Sequence, residues 1–318
     1  MNAEAIAISL DLINRHHQEP NRNRYESRYF WEELYSLVST AGFSAIEMPY
    51  EPVWQFGGRS GVPFNRYCVN TKYGTAADFR AVLSASGVDR VIGITFDPNL
   101  FMRNGNLDFY FGASGHFANE ALSHAADMGA DYFAISPSPF YGRIAQYHPD
   151  LEGKTEAFTE RTLALLGGLA TKAQELGVTL VLRNEYWSLF GGMRILPLID
   201  ALPRTVKLDL DTASLFVAGV DASDFLKARI ERIGSVHLTD TNFVDTHDVW
   251  KSPNPEYPRD HATQVFRDPG TGSVDFAAIT ALLGMLDYQG PIICSARQTR
   301  DPFRALLRTR ALLNTFTT

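Results

Sequence analysis

The stretch Leu163–Ala213 reads LALLGGLATKAQELG, VTLVLRNEY, WSLFGG, MRILPLIDALP, R and TVKLDLDTA in unbroken succession. In the first and fourth of these segments apolar residues return every three or four positions, the spacing of a helix with one buried face. The second and last are short and rich in β-branched and aliphatic residues. Helix, strand, helix, strand with short connections makes a βαβ unit, whose strands must run parallel.

The same alternation extends outward in both directions. Toward the amino terminus lie the strand candidates AIAISLDL (Ala5–Leu12), SAIEMPY (Ser44–Tyr50), DRVIGITFD (Asp89–Asp97) and ADYFAISPS (Ala130–Ser138). The helical runs WEELYSLVSTAGF, ADFRAVLSASGV and FANEALSHAADMG separate them, with Gly42 and Gly129 where helices must stop. Toward the carboxyl terminus ASDFLKARIER precedes IGSVHLTDT (Ile233–Thr241), and FAAITALLGMLDYQ precedes GPIICSARQ (Gly290–Gln298). Eight such strands favour an α/β fold of one domain over residues 1–318, a closed (β/α)8 TIM barrel, over a doubly wound open sheet. No GxGxxG follows the first strand. Three Pro-, Gly- and Asn-rich stretches, Pro49–Gly74, Asp97–Gly115 and Asn242–Gly272, each follow a strand and read as long βα loops on the functional face. The last is expected to cover the pocket as a lid or to join a subunit contact in a homo-oligomer.

Composition narrows the function. The 318 residues are 45% hydrophobic and carry 29 Lys plus Arg against 36 Asp plus Glu, a formal charge of -7, which offers no basic face to nucleic acid. The two cysteines, Cys68 and Cys294, are too few and too distant for a disulfide scaffold or a thiolate metal site, which fits a reducing cytoplasm. No run approaches the ~20 apolar residues of a membrane helix, and the first residues show neither a basic region nor a cleavage site. The expectation is a cytoplasmic protein with a small-molecule partner and no organic cofactor.

Charged residues inside barrel strands are the informative ones, because burying a charge without a partner costs several kcal/mol. Glu47 closes strand two, Arg183 and Glu185 lie in strand five, Lys207, Asp209 and Asp211 in strand six, His237 and Asp240 in strand seven, and strand eight ends Cys294, Ser295, Ala296, Arg297. Period two puts Arg183 on the face of Glu185, and Lys207 on that of Asp209 and Asp211. Glu47, Arg183, Glu185, Asp211 and His237 are expected to gather at one end of the barrel.

These residues, together with GFSAIEMPY, AQELGVTLVLRNE, VKLDLDTASLFVAGVD, RIGSVHLTD and DPGTGSVDFAAITALLGMLDYQGPII, resemble the xylose-isomerase-like TIM barrels. That superfamily spans sugar phosphate isomerases and epimerases, ketose 3-epimerases, hydroxypyruvate isomerase, inosose dehydratases and apurinic endonucleases. The resemblance implies a divalent metal (Mn, Mg, Co or Zn) held by an acid on strand five, an aspartate on strand six, a histidine on strand seven and a glutamate on strand eight. Asp211 and His237 match two of these. The other two positions fall at Arg183 and Ser295, and Ser214 stands where a histidine is often found.

Three arrangements then compete. Glu185 completes a shifted metal site with Asp211 and His237; or the Arg183 guanidinium replaces the cation, neutralises Asp211 and leaves Glu185 as acid or base; or the charges form a satisfied ion-pair network without chemistry. The catalytic candidates are Glu185, Arg183, Asp211 and His237. The substrate-side candidates are Glu47, Trp187, Arg267 and Arg297, with Trp54, Phe56, Phe190 and Trp250 as further aromatic residues in the loops. The expected activity is that of a sugar or polyol isomerase or epimerase that removes a proton beside a carbonyl. Dehydration or another elimination, a non-catalytic carbohydrate-binding barrel and, more distantly, a nuclease are the alternatives.

Overall fold

β1 (Ile6–Ser9) pairs in parallel with both β2 (Ala45–Pro49) and the last strand of the chain, β9 (Ile292–Ser295), and that double pairing closes the sheet. The ring continues through β3 (Arg90–Phe96), β4 (Tyr132–Ile135), β5 (Thr179–Arg183), β6 (Lys207–Asp211) and β7 (Ile233–Thr241), which returns to β9. This (β/α)8 barrel is seen in a computed structural model that describes residues 6–13, 25–52, 61–251, 265–297 and 299–316. The extra strand β8 (Phe266–Arg267) pairs antiparallel with the end of β7.

The helices are α1 (Arg28–Thr40), α2 (Arg66–Tyr73), α3 (Ala76–Ala85), α4 (Leu107–Met128), α5 (Tyr141–Tyr147), α6 (Thr155–Leu176), α7 (Leu196–Asp200), α8 (Thr212–Val217), α9 (Ala222–Arg229), α10 (Phe276–Met285) and α11 (Pro302–Leu313). Outward residues of the strands pack on these helices in one continuous apolar core. Gly129 and Gly177 close α4 and α6 in the left-handed conformation that only glycine adopts without cost.

Two of the three long connections hold more helix than their composition suggests. Asn65 and Asn106 accept backbone N–H groups of Cys68 and Phe109 and so start α2 and α4 inside the stretches read as loops. The third leaves β7 at Asn242 and comes back as β8 beside its own starting point. Trp54, Phe56, His16, His17 and His261 lie outside the described residues.

Inside the barrel, Ala7, Ala45, Ile92, Tyr132, Ala134, Val181 and Ile293 form an apolar floor. Tyr132 lies across β3, where a Cβ on Gly93 would meet its ring at 2.1 Å, so glycine is what gives the ring room. Above that floor the inward positions turn polar.

Candidate active site at the mouth of the barrel

The inward polar residues form two tiers. In the lower tier Glu47 Oε1 accepts from Ser9 Oγ at 2.7 Å, and its Oε2 accepts from the Tyr132 hydroxyl and His237 Nε2, both at 2.7 Å, and from an Arg183 terminal nitrogen at 3.3 Å. Asp209 Oδ1 accepts from His237 Nδ1 and Ser235 Oγ, both at 2.6 Å, and Oδ2 accepts from Arg183 Nε at 2.7 Å. Burial opposes charge on His237, which is 1% exposed, but Asp209 and Glu47 outweigh it and push the imidazole up to about 10. Burial likewise resists ionisation of Glu47 and Asp209, and His237 and Arg183 nevertheless hold both carboxyls below the usual range. Two cations thus face two anions in a closed, neutral set.

The upper tier is built from residues at or just past the strand ends. Asp211 caps α8 by accepting Ser214 N–H at 2.8 Å through Oδ1, and its Oδ2 accepts from Thr239 Oγ1 at 2.7 Å. Ser295, where the resemblance calls for a glutamate, donates to Asp11 Oδ2 at 2.9 Å, so a carboxylate from the end of β1 reaches that position instead. Arg297 pairs with Glu185 Oε2 at 2.7 Å and lies 3.9 Å from Asp211 Oδ2, with its guanidinium over the Phe266 ring. Glu185 is 4% exposed, and burial lifts its carboxyl above the ordinary value against the pull of Arg297. Glu185 Oε1 and one Arg297 terminal nitrogen are both buried and, among the described residues, without a hydrogen-bond partner.

Asp97 ends the inward face of β3, in the register that sets Thr95 beside Ala134. Its side chain is exposed, accepts Asn99 N–H at 2.9 Å through Oδ1 and has Arg143 and Arg297 nearby. Trp187 is buried in the apolar wall with Phe140, Tyr186, Val265 and Phe266, and its indole Nε1 has no hydrogen-bond partner among the described residues.

Several expected relationships change. Arg183 pairs with Asp209 and Glu47 rather than Asp211, because its in-register neighbour on β6 is Asp209. Arg297 is the guanidinium that meets Glu185 and approaches Asp211. Glu47 is enclosed by the lower tier. Arg267 stands opposite Asp240 in the hairpin, on the face away from Phe266, and among the described residues makes no ion pair with the site. Asp240 accepts the N–H groups of Gly270 and Gly272 and so holds the GTG turn. Among the aromatic loop residues, Trp250 stacks on Arg194 and Phe190 packs near Phe158. Asp209, Tyr132, Asp11 and Asp97 were not singled out from sequence as site residues. Asp209 shares the period-two face of Asp211, and Asp11 and Asp97 stand at the ends of their strands, so reading every inward polar position would have found three of the four.

A match to the xylose isomerase-like TIM barrel family covers residues 35–313. The chain belongs to that family. Among its relatives, the inosose dehydratase of Geobacillus kaustophilus is 34% identical over 188 residues, 55% of this chain and 58% of the relative. That of Halalkalibacterium halodurans is 27% identical over 200 residues, 59% and 63% respectively. The chain thus spans about three-fifths of the length of these curated relatives. The 3-keto-D-glucoside 4-epimerase of E. coli shares the fold, with a TM-score of 0.64 at 15% identity over 98% of this chain and 99% of the other.

The metal that membership of this xylose isomerase-like family implies can be tested against these donors. A ligating imidazole must be neutral with a free nitrogen, whereas His237 Nδ1 lies 2.6 Å from Asp209 Oδ1, and Nε2 lies 2.7 Å from Glu47 Oε2 and 3.0 Å from an Arg183 terminal nitrogen, so both are engaged. Asp211 Oδ1 and Oδ2 are engaged by Ser214 and Thr239, a guanidinium occupies the strand-five position, and a serine the strand-eight position. Among the described residues no group of three or more His, Cys, Asp or Glu side chains could hold a metal ion. As arranged, this donor set does not fit a divalent cation.

Proposed function

We propose that this chain is an enzyme acting on a keto-polyol or keto-sugar, in which Glu185 removes the proton from the carbon beside the ketone and Arg297 holds the developing enolate oxygen. One observation carries the reading: a buried carboxylate oxygen and a buried guanidinium nitrogen, on side chains already joined by one ion pair, both lack a hydrogen-bond partner among the described residues. Buried groups of this kind are rare in folded proteins, and together they form a base next to an oxyanion donor. The raised carboxyl of Glu185 suits a group that must both take and return a proton.

In this reading the α-carbon–hydrogen electron pair becomes the carbon–carbon double bond as Glu185 takes the proton. Collapse of the enolate then expels the neighbouring hydroxyl, and protonated Glu185 returns its proton to that leaving group, giving water and an unsaturated ketone. The inosose dehydratase relatives support this elimination and make inosose the first substrate to test. Epimerisation is the second reading, favoured by Asp97, an exposed carboxyl just past the end of β3 that could return the proton to the opposite face. Arg297 supplies the positive charge in both readings, and no metal enters either. Asp11 and Asp97 are the acceptors offered to substrate hydroxyls.

The test is incubation in D2O with inosose and with 3-keto-glucosides, following α-proton exchange and products by NMR. Exchange that disappears in Glu185→Gln is expected, with water loss or inversion naming the reaction. Undiminished exchange in Glu185→Gln, or none with any ketone in the wild-type protein, overturns the proposal.

A further inference from the structure

The turn that follows β5 and carries Glu185 is wound tightly. Ser188 N–H donates to Glu185 O at 3.1 Å, Gly191 N–H to Ser188 O at 2.9 Å, and Gly192 N–H to Asn184 O at 3.1 Å. A Cβ on Gly191 would lie 1.6 Å from the Glu185 carbonyl oxygen, so only glycine permits this closure. At the centre sits Arg194. One of its terminal nitrogens donates to the carbonyls of Tyr186 and of Ser188, the latter at 3.1 Å, and its Nε donates to Leu189 O at 3.2 Å.

Among the described residues no carboxylate forms an ion pair with Arg194. Its charge is instead committed to three carbonyls and to aromatic faces, with its guanidinium carbon 3.7 Å from the centre of the Trp250 ring. Trp250 belongs to the connection after β7. Its backbone N–H donates to Asp245 Oδ2 at 3.2 Å, and the same carboxylate accepts from the Tyr186 hydroxyl at 2.8 Å. Tyr186, the residue next to Glu185, is therefore tied by its carbonyl to Arg194 and by its hydroxyl to Asp245. A rigid guanidinium fork fixes the relative positions of the groups it bridges.

We infer that Arg194 is the positioning residue for Glu185, and that Trp250 holds Arg194 in place, so that the connection after β7 sets the aim of the base. The inference rests on Glu185 being the base, and its test separates the two. In the full-length chain, hydrogen–deuterium exchange is measured over residues 184–194 and over β9. The pH dependence of Glu185 labelling by a water-soluble carbodiimide is followed in parallel, with Glu185→Gln as the blank.

Arg194→Gln is expected to raise exchange in residues 184–192 about tenfold while β9 keeps its protection. The pH midpoint of Glu185 labelling should fall toward the ordinary carboxyl range as the turn opens. Arg194→Lys restores part of both effects, Trp250→Ala reproduces them and Trp250→Phe does not. Should Arg194→Gln fail to fold, Trp250→Ala carries the test. Wild-type exchange and labelling in Trp250→Ala, or exchange raised evenly through the barrel, overturns the inference. Turnover retained by Glu185→Gln would remove the base assignment alone, because the exchange pattern still decides the positioning.

Discussion

Arg297 meets Glu185 across the barrel mouth at 2.7 Å, and each side chain keeps one buried polar atom without a hydrogen-bond partner among the described residues. The pair is half satisfied within the protein, in contrast with the closed network beneath it. A ketone with a neighbouring hydroxyl has the complementary groups, an oxygen to accept from Arg297 and an acidic C–H to face Glu185.

Removing either member should therefore have different consequences. Glu185→Gln is expected to lower turnover by roughly 10²- to 10⁴-fold with a smaller loss of stability than removal of Arg297, because the amide keeps the shape and its oxygen still accepts from Arg297, which also lies 3.9 Å from Asp211. Arg297→Ala should lose roughly 10²- to 10³-fold in activity and also destabilise the protein, since it leaves Glu185 buried without its cation. Steady-state kinetics beside thermal unfolding will separate the two patterns. In the wild type, activity should rise with pH through a midpoint above the ordinary glutamate value, the direction in which burial moves Glu185.

The lower tier has its own pH signature. His237 rises from 6.5 in the unfolded chain to about 10 in the fold, so its contribution is complete below pH 6.5 and is lost as pH climbs toward 10. Glu47 and Asp209 are lowered, and their contributions are complete above the unfolded carboxyl range and are lost as pH falls below it and through the lowered folded values. Stability should thus decline on the alkaline side from near pH 6.5 by up to about 1.4 kcal/mol per pH unit, the limit for one proton. Urea unfolding at a series of pH values checks this, and a flat curve between pH 7 and 10 would contradict the charged state of His237.

Arg183 connects that network to the question of metal. Arg183→Ala should cost about 3 to 5 kcal/mol, because Glu47 and Asp209 stay buried with less countercharge. In the proposed reading the purified protein carries no stoichiometric Mn, Mg or Zn, and activity survives EDTA. Arg183→Glu restores a strand-five acid, frees His237 from one neighbouring cation and should raise affinity for a divalent ion. Metal analysis and calorimetric titration of both proteins are the measurements, and stoichiometric metal bound by the wild type through Asp211, His237 and Glu185 would refute this arrangement.

Much of the barrel was legible in the chain because a strand buried on both faces is a short aliphatic run, and the helix before it repeats at its own period. Asp211 and His237 were legible as inward polar residues for the same reason. Which charge meets which was not, because partners are set by register between strands distant in sequence. Arg183 lies beside Asp209 only because β5 and β6 align Val181 with Lys207. Arg297 reaches Glu185 across the mouth, a relationship with no sequence spacing to announce it. The carboxylate supplied by Asp11 beside Ser295 was hidden similarly, since residues 11 and 295 become neighbours only on closure of the ring.

Gly93 and Tyr132 offer a test of how far the apolar floor supports the charged tier. The Tyr132 hydroxyl donates to Glu47 Oε2, and the ring fills the space that a Cβ on Gly93 would enter at 2.1 Å. Tyr132→Phe removes a hydrogen bond to a buried charge and should cost about 1.5 to 3 kcal/mol. Gly93→Ala forces the ring to shift, with an overpacking cost of about 1 to 3 kcal/mol plus part of that same hydrogen bond. Because both changes damage one contact, the double variant should lose less than the sum of the singles, with a coupling of about 0.5 kcal/mol or more. Tyr132→Ala should go further and make Gly93→Ala nearly neutral, since the ring it strikes is gone. Strict additivity in urea unfolding of these five variants would show that Gly93 is required for some reason other than the passage of this ring.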